Sequence, residues 1–322
     1  MGIPAMKKFV EEFEQHLNTF FNRNMCNLLR YFKLKKTKDF LDLEELLQMI
    51  NNITELDRSI GVNLLLDKNI SFDDLSQKNI SLISEMPFVN RIKSLVIHSK
   101  ELKRELLLFV RRKCLNFDEK IGIHLYKQLF RCCKYRIVKI FTTNYDNIIE
   151  NSCNDLSINY SNGFEGNEEY SKWTGNFAPK KKGSDGLFVQ LYKLHGSVTW
   201  YIEKQKNNVF KFTPTDIGDS KNVDQMMIYP TQLKQINNFP YNLIHFEFEK
   251  ALEESTGCIS IGHSFRDDYI KNWLAYCLKK GNFHLDIVDP RASIYKKEFF
   301  ENSENVYAIS IGFKEWIENT VR

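Results

Sequence analysis

No two cysteines stand at C-x-x-C spacing anywhere in the 322 residues, so the paired-cysteine route to a structural zinc site is closed. The seven cysteines (Cys26, Cys114, Cys132, Cys133, Cys153, Cys258 and Cys277) are odd in number, scattered and mostly flanked by apolar residues. That usage suits reduced thiols in a cytoplasmic protein. No uninterrupted apolar run approaches the length of a membrane span, and no apolar leader opens the sequence as written, so no membrane partner is expected. Charge of one sign is also scarce: the net charge is +4, too small at this length to imply direct nucleic-acid binding. No fixed-period repeat occurs, which argues against a solenoid. The 14 glycines include no G-x-G.

What remains is an ordinary globular composition, 43% hydrophobic and 27% charged. From Met6 to Phe32, Phe9, Val10, Phe13, Leu17, Phe20, Phe21, Leu28, Leu29 and Phe32 recur on one helical face. Helix-like blocks continue to about residue 130: "FLDLEELLQMI", "MPFVNRIKSLVIHSKELKRELLLFVRRK" and "FDEKIGIHLYKQLFRCC". Near Arg136 the pattern changes. Short β-branched or aromatic runs ("RIVKIFT", "LFVQLYKL", "GCISIGHS", "FHLDIVDP", "NVYAISIGF") now alternate with helical ones, and Gly281 is placed to close one helix as its C′ residue. Such alternation predicts βα units, hence a Rossmann-like, mainly parallel sheet in residues 136–322 behind a helical region in 1–135.

Parallel sheets bind ligands at the carboxyl ends of their strands. Here four strand ends carry polar clusters: Thr142–Asp146, His195–Ser197, Gly262–Ser264 and Asp289–Pro290. One polar tip is a helix cap, since Thr143 or Asn144 could cap the next helix and Asp146 would favour its N-terminus. Four tips on one edge suggest a pocket. The stretch 158–187 is rich in turn formers, and 200–240 reads as a hairpin around Asn207–Asn208 followed by irregular chain. Within the first, "PKKKG" reads by composition as a solvated lysine run rather than a phosphate contact. His16, His98, His124, His245 and His284 lack metal-ligand spacing and read as structural.

Taken in order, "TTNYD", "LHGS", "IGHSF" and "IVDP" resemble the sirtuin family, specifically the zinc-less sirtuin-like NAD-consuming domains of bacterial anti-phage defence. The resemblance covers about residues 136–312, and "GIPAMKKFVEEF" is similar to the segment that follows the family's glycine-rich loop. It implies one sirtuin-like domain, with residues 40–130 as a helical insertion in a Rossmann-like fold. It implies that Asn144 holds the nicotinamide-side ribose and the attacking water, that Asp146 supports that site, and that His195 is the general base. Thr142, Thr143, Gly196 and Ser197 would line the same site, while Gly262 and Ser264 would meet the adenosine half. Asp289 stands where many relatives have asparagine near the adenine ribose, and His263 where they often have tyrosine.

The residue types fit the chemistry. Cleaving nicotinamide from ribose builds positive charge on the sugar and needs a proton acceptor near neutral pH, which histidine supplies. An asparagine amide both donates and accepts, and so can orient a water. The protein deacylases of the family carry two C-x-x-C pairs between the histidine and glycine–serine motifs, whereas residues 198–256 here contain no cysteine. Hydrolysis of NAD+ is therefore expected over deacylation, with no zinc; a non-catalytic NAD or ADP-ribose binding module is the alternative. A homo-oligomer or a defence-system partner protein fits the resemblance. The glycine-rich loop of the family is expected to be lacking, so that the chain as written binds NAD+ poorly and an upstream ~20–40 residues encoding a strand and glycine-rich turn would restore binding.

Overall fold

The structure, a computed structural model, describes residues 6–19, 23–35, 43–56, 86–115, 119–133, 136–167, 170–179, 186–203, 208–212, 223–228, 238–301 and 303–320. Phe20, Phe21, the opening Gly2–Ala5 stretch and the lysines at 180–182 lie outside them. The described chain divides into two compact units, one ending with the helix that closes at residue 115 and the other beginning at residue 119.

Among the described residues the first unit packs four helices: α1 (Met6–Thr19), α2 (Arg23–Lys35), α3 (Leu43–Leu56) and α4 (Met86–Leu115). Its core uses the face expected from periodicity, with Phe9, Val10, Phe13, Leu17, Leu28, Leu29 and Phe32 all buried. Phe109 of α4 closes on Phe9 and Phe13 at ring-centroid distances of 5.2 and 5.4 Å. Burying each such side chain contributes about 1.5–3 kcal/mol.

The second unit opens with helix α5 (Lys120–Cys132). Sequence periodicity groups that helix with the helical region; it packs instead on α6 (Ile148–Asp155) and on the last helix, α10 (Phe313–Thr320). Its amphipathic face buries Leu125 and Phe130, and Phe130 shares a core cluster with Ile149, Cys153, Val189 and Leu191.

The parallel strands form two three-stranded sheets. One has the order β1 (Ile137–Thr142), β5 (Phe188–Lys193), β2 (Asn159–Ser161). The other runs β11 (Val306–Ile309), β10 (His284–Val288), β9 (Gly257–Ile261). All pairings in both are parallel, as the intervening helices α8 (Asp268–Lys279) and α9 (Ala292–Phe299) require of the second. Together with the N-terminal helices this is the expected α/β, Rossmann-like class. Among the described residues β1 and β9 each have a strand partner on one edge only, and Ile137 and Ile259 there are half exposed. Helix α7 (Tyr241–Glu254) joins the halves: its Phe248 ring meets Phe141 of β1 at 5.2 Å, and the strand β9 follows it directly.

A five-stranded antiparallel sheet was not expected from the sequence. Its order is β3 (Phe164–Gly166), β4 (Tyr170–Trp173), β7 (Asn208–Phe212), β6 (Gly196–Glu203), β8 (Val223–Met227). Apart from the start of β6, it is drawn from the turn-rich stretch 158–187 and from the stretch 200–240. The expected hairpin is there, with Glu203 opposite Asn208. Only Leu194 and His195 separate β5 of the parallel sheet from β6 of the antiparallel one.

Candidate active site

Each polar tip can be followed to its neighbours. After β1, the Asn144 N–H donates to Thr142 Oγ1 at 3.1 Å, a tight side-chain turn that leaves Asn144 exposed at the tip. Asp146 is buried, and its Oδ1 accepts from the Ile148 N–H at 3.1 Å, so Asp146 rather than Thr143 or Asn144 satisfies the first turn of α6. Burial holds its carboxyl above the ordinary carboxylate range, and the nearby Lys193 ammonium opposes that shift.

Lys193, the last residue of β5, is 1% exposed. It donates to the carbonyl of Asp146, to Asn147 Oδ1 at 3.2 Å and to Ser197 Oγ at 3.3 Å. Its Nζ also stands 3.1 Å from Oε1 of Glu150, a buried carboxylate of α6 that pairs with it as an ion without hydrogen-bonding angles. Ser197 Oγ donates to the Tyr145 carbonyl at 3.0 Å. These contacts tie the β1 tip to the β5 tip through charge kept from water, where hydrogen bonds are strong and orphaned ions expensive. Ser197 is fully buried, so its hydroxyl serves the scaffold.

His195 sits in the corner between β5 and β6. The preceding Leu194 carbonyl accepts from His245 Nε2 at 3.2 Å, and the His195 carbonyl accepts from the Ile228 N–H at 2.8 Å. Gly196 has φ +78°, and a Cβ there would come within 2.2 Å of the Met226 carbonyl oxygen. No other residue fits that corner. The His195 side chain, 7% exposed, holds Nε2 2.9 Å from Asp267 Oδ2.

Asp267 was not singled out from the sequence. It is the N-cap of α8, with Oδ1 accepting from the Tyr269 N–H at 3.1 Å. An aspartate just ahead of the helical run "DYIKNWL" is a cap signal, but nothing local shows that its second oxygen reaches a histidine 72 residues earlier. The loop that delivers it leaves β9 through Gly262, which is exposed with φ +66°, and Ser264, which is half-buried. Phe265 follows in the left-handed region at φ 54° and is fully buried, its ring against Tyr295, Phe299 and Phe300. A non-glycine residue in that region is strained and holds only where packing fixes it. After β10, Asp289 Oδ1 accepts from the Arg291 N–H at 2.8 Å. The backbone bond from the Gly262 N–H to the Val288 carbonyl, 2.9 Å, joins that tip to the β9 tip.

The four predicted clusters thus form one connected series, Thr142–Asp146 to His195–Ser197 to the Gly262–Asp267 loop to Asp289, and the His195–Asp267 pair bridges the two half-sheets. Such an assembly offers a polarised imidazole, an exposed amide at Asn144, and glycine-lined backbone open at Gly262. Among the described residues no group of three or more His, Cys, Asp or Glu is placed to hold a metal ion, and no helix is long and apolar enough to cross a membrane.

Residues 138–309 match the family described as the SIR2-like domain. Among solved structures, a Sir2 homologue mutant in complex with ADP ribose is 12% identical, with a TM-score of 0.44, covering 85% of this chain and 94% of that one. A Sir2 homolog–NAD complex is also 12% identical, with a TM-score of 0.42, covering 85% of this chain and 91% of the other. No curated protein matches the chain.

Proposed function

The chain belongs to the SIR2-like domain family, whose members are NAD-dependent enzymes, and from that premise we propose that it is an NAD+ glycohydrolase. The observation that carries this reading is the convergence of the polar strand tips on His195, a buried imidazole braced by a carboxylate. A protein that only bound the nucleotide would have no use for a braced proton acceptor.

In the proposed reaction the C1′–nitrogen bond of the nicotinamide ribose breaks, and its electron pair leaves with nicotinamide, which departs neutral. Water adds its oxygen to C1′, giving ADP-ribose, and the released proton passes to His195 and then to solvent. Asn144, exposed at the β1 tip, orients that water and the ribose hydroxyls. Gly262 and Ser264 meet the adenosine half, with Asp289 near its ribose. Thr142 and Thr143 shape the β1 tip, and Asp146, Gly196 and Ser197 support the site from beneath. Orientation and fixed polarity of this kind supply several kcal/mol of transition-state stabilisation. A role in anti-phage defence by NAD+ depletion, in the cytoplasm and with a homo-oligomeric or defence-system partner, is supported by the sequence resemblance alone. The absence of any G-x-G supports the further reading that pyrophosphate binding is weak in this chain.

Incubation with NAD+ while free nicotinamide is followed tests the reading. His195→Ala and Asn144→Ala should each lower release by about a hundredfold or more with unchanged thermal unfolding. Turnover near wild type in either variant would end the catalytic assignment. NAD+ binding without any nicotinamide release would favour a binding module instead.

A further inference from the structure

We propose that Asp267 is the positioning partner of His195, fixing the proton of the neutral ring on Nε2 and so making Nδ1 the nitrogen that takes the reaction proton. This deepens the glycohydrolase reading and rests on it. A carboxylate oxygen only accepts, so at 2.9 Å it is the Nε2–H that donates to Asp267 Oδ2. Neutral imidazole has one N–H, and the lone pair is therefore on Nδ1.

The two carboxylate oxygens of Asp267 have separate tasks. Oδ1 is bound to the Tyr269 N–H at the start of α8, where the helix end favours negative charge. Oδ2 is thereby aimed at His195, and both side chains are more than nine-tenths buried. When the ring takes a proton, the imidazolium forms beside a fixed anion out of water, where that attraction is strong. Of the neighbouring described groups, Tyr269 donates its hydroxyl to Glu249, and His245 donates to the Leu194 carbonyl. Phe265, buried in its left-handed conformation, locks the loop that carries the aspartate.

A cap alone would make a different prediction from a cap that also orients a histidine, and Asp267→Asn separates them. Asparagine caps as well as aspartate, so α8 keeps its first turn. Its amide would donate to Nε2, driving the ring proton to Nδ1 and removing the reactive lone pair. We expect nicotinamide release to fall about 10³–10⁴-fold, with thermal unfolding and NAD+ affinity unchanged. In ¹⁵N-histidine NMR the wild-type His195 ring should be the Nε2–H tautomer and the variant ring the Nδ1–H tautomer. Asp267→Ser, which keeps a capping hydroxyl but leaves the ring without its acceptor, should also lose release. Wild-type release in Asp267→Asn, or an Nδ1–H ring in the wild type, would overturn the assignment. If the wild type released no nicotinamide, the glycohydrolase reading would fail, while the two tautomers would still decide whether Asp267 sets the ring.

Discussion

The two parallel half-sheets solve the same problem, how to end a strand in polar residues, by opposite means. In the β1–β5–β2 half, the tips are cross-linked over long range: Lys193 reaches Asp146, Asn147, Glu150 and Ser197 at once, and all but Asn147 are buried. In the β9–β10–β11 half, the tip carboxylates each take an N–H two residues on, Asp267 that of Tyr269 and Asp289 that of Arg291, and apart from the reach of Asp267 to His195 the link between tips is a backbone bond, Gly262 N–H to the Val288 carbonyl. The first arrangement makes the position of a loop depend on a buried ion. The second makes it depend on a two-residue turn. Damage should therefore spread in the first half and stay local in the second.

The largest effect should come from Lys193→Met. It leaves Glu150 as an uncompensated buried carboxylate and should destabilise the protein by about 3–5 kcal/mol, measured by urea unfolding. Combining it with Glu150→Leu should recover most of that loss, since the charge is then gone from both sides. A double variant no better than the single one would show that the ion pair is not what couples the two strands.

Next come two glycines in the same backbone region, one in each half. Gly196→Ala meets the Met226 carbonyl oxygen at 2.2 Å and should cost about 2–4 kcal/mol, from left-handed strain and overpacking together. Gly262→Ala has nothing within 4 Å of the added methyl group and should cost only about 1–2 kcal/mol, from backbone strain. Equal unfolding midpoints for the two variants would erase the contrast between a crowded tip and an open one.

The smallest effect is a dependence on pH. Asp146 is held above the ordinary carboxylate range by burial, with Lys193 opposing. A carboxyl whose folded pKa is raised stabilises the fold below its unfolded pKa, and that contribution is lost as pH rises through the folded value. Asp146→Asn keeps an oxygen for the Ile148 N–H but cannot ionise. Wild type should lose stability relative to this variant as pH climbs just above the ordinary carboxylate range, in unfolding curves taken at a series of pH values. Parallel curves would mean that Lys193 cancels the burial entirely.

Much of the fold was legible because its signals are local. The helical face from Phe9 to Phe32, the five β-rich runs and the closing Gly281, which takes φ +81°, each follow from periodicity or from a single conformational demand. The antiparallel sheet was hidden because its strands Phe164–Gly166 and Tyr170–Trp173 are three and four residues long, too short to show alternation. They exist through pairing, with each other and, for Tyr170–Trp173, with the distant strand Asn208–Phe212. The candidate site divides in the same way. Its tips were readable from polar residues at strand ends, but Lys193 looks like the close of an ordinary strand and Glu150 like a surface helix residue. Their burial is decided by tertiary packing, as is the reach of Asp267 to His195. A cap can be read from sequence; a second partner for the same carboxylate cannot.

The two-residue step between β5 and β6 has a mechanical meaning. The corner is pinned on every side: at Leu194 by His245, at the His195 carbonyl by Ile228, at the His195 ring by Asp267, and at Gly196 by the close approach of Met226. It has no slack in which to absorb a change of angle between the parallel and antiparallel sheets. A tilt of one sheet on the other would act directly on the imidazole, turning it toward or away from its carboxylate, so that the joint between the sheets and the proposed proton acceptor are one and the same part.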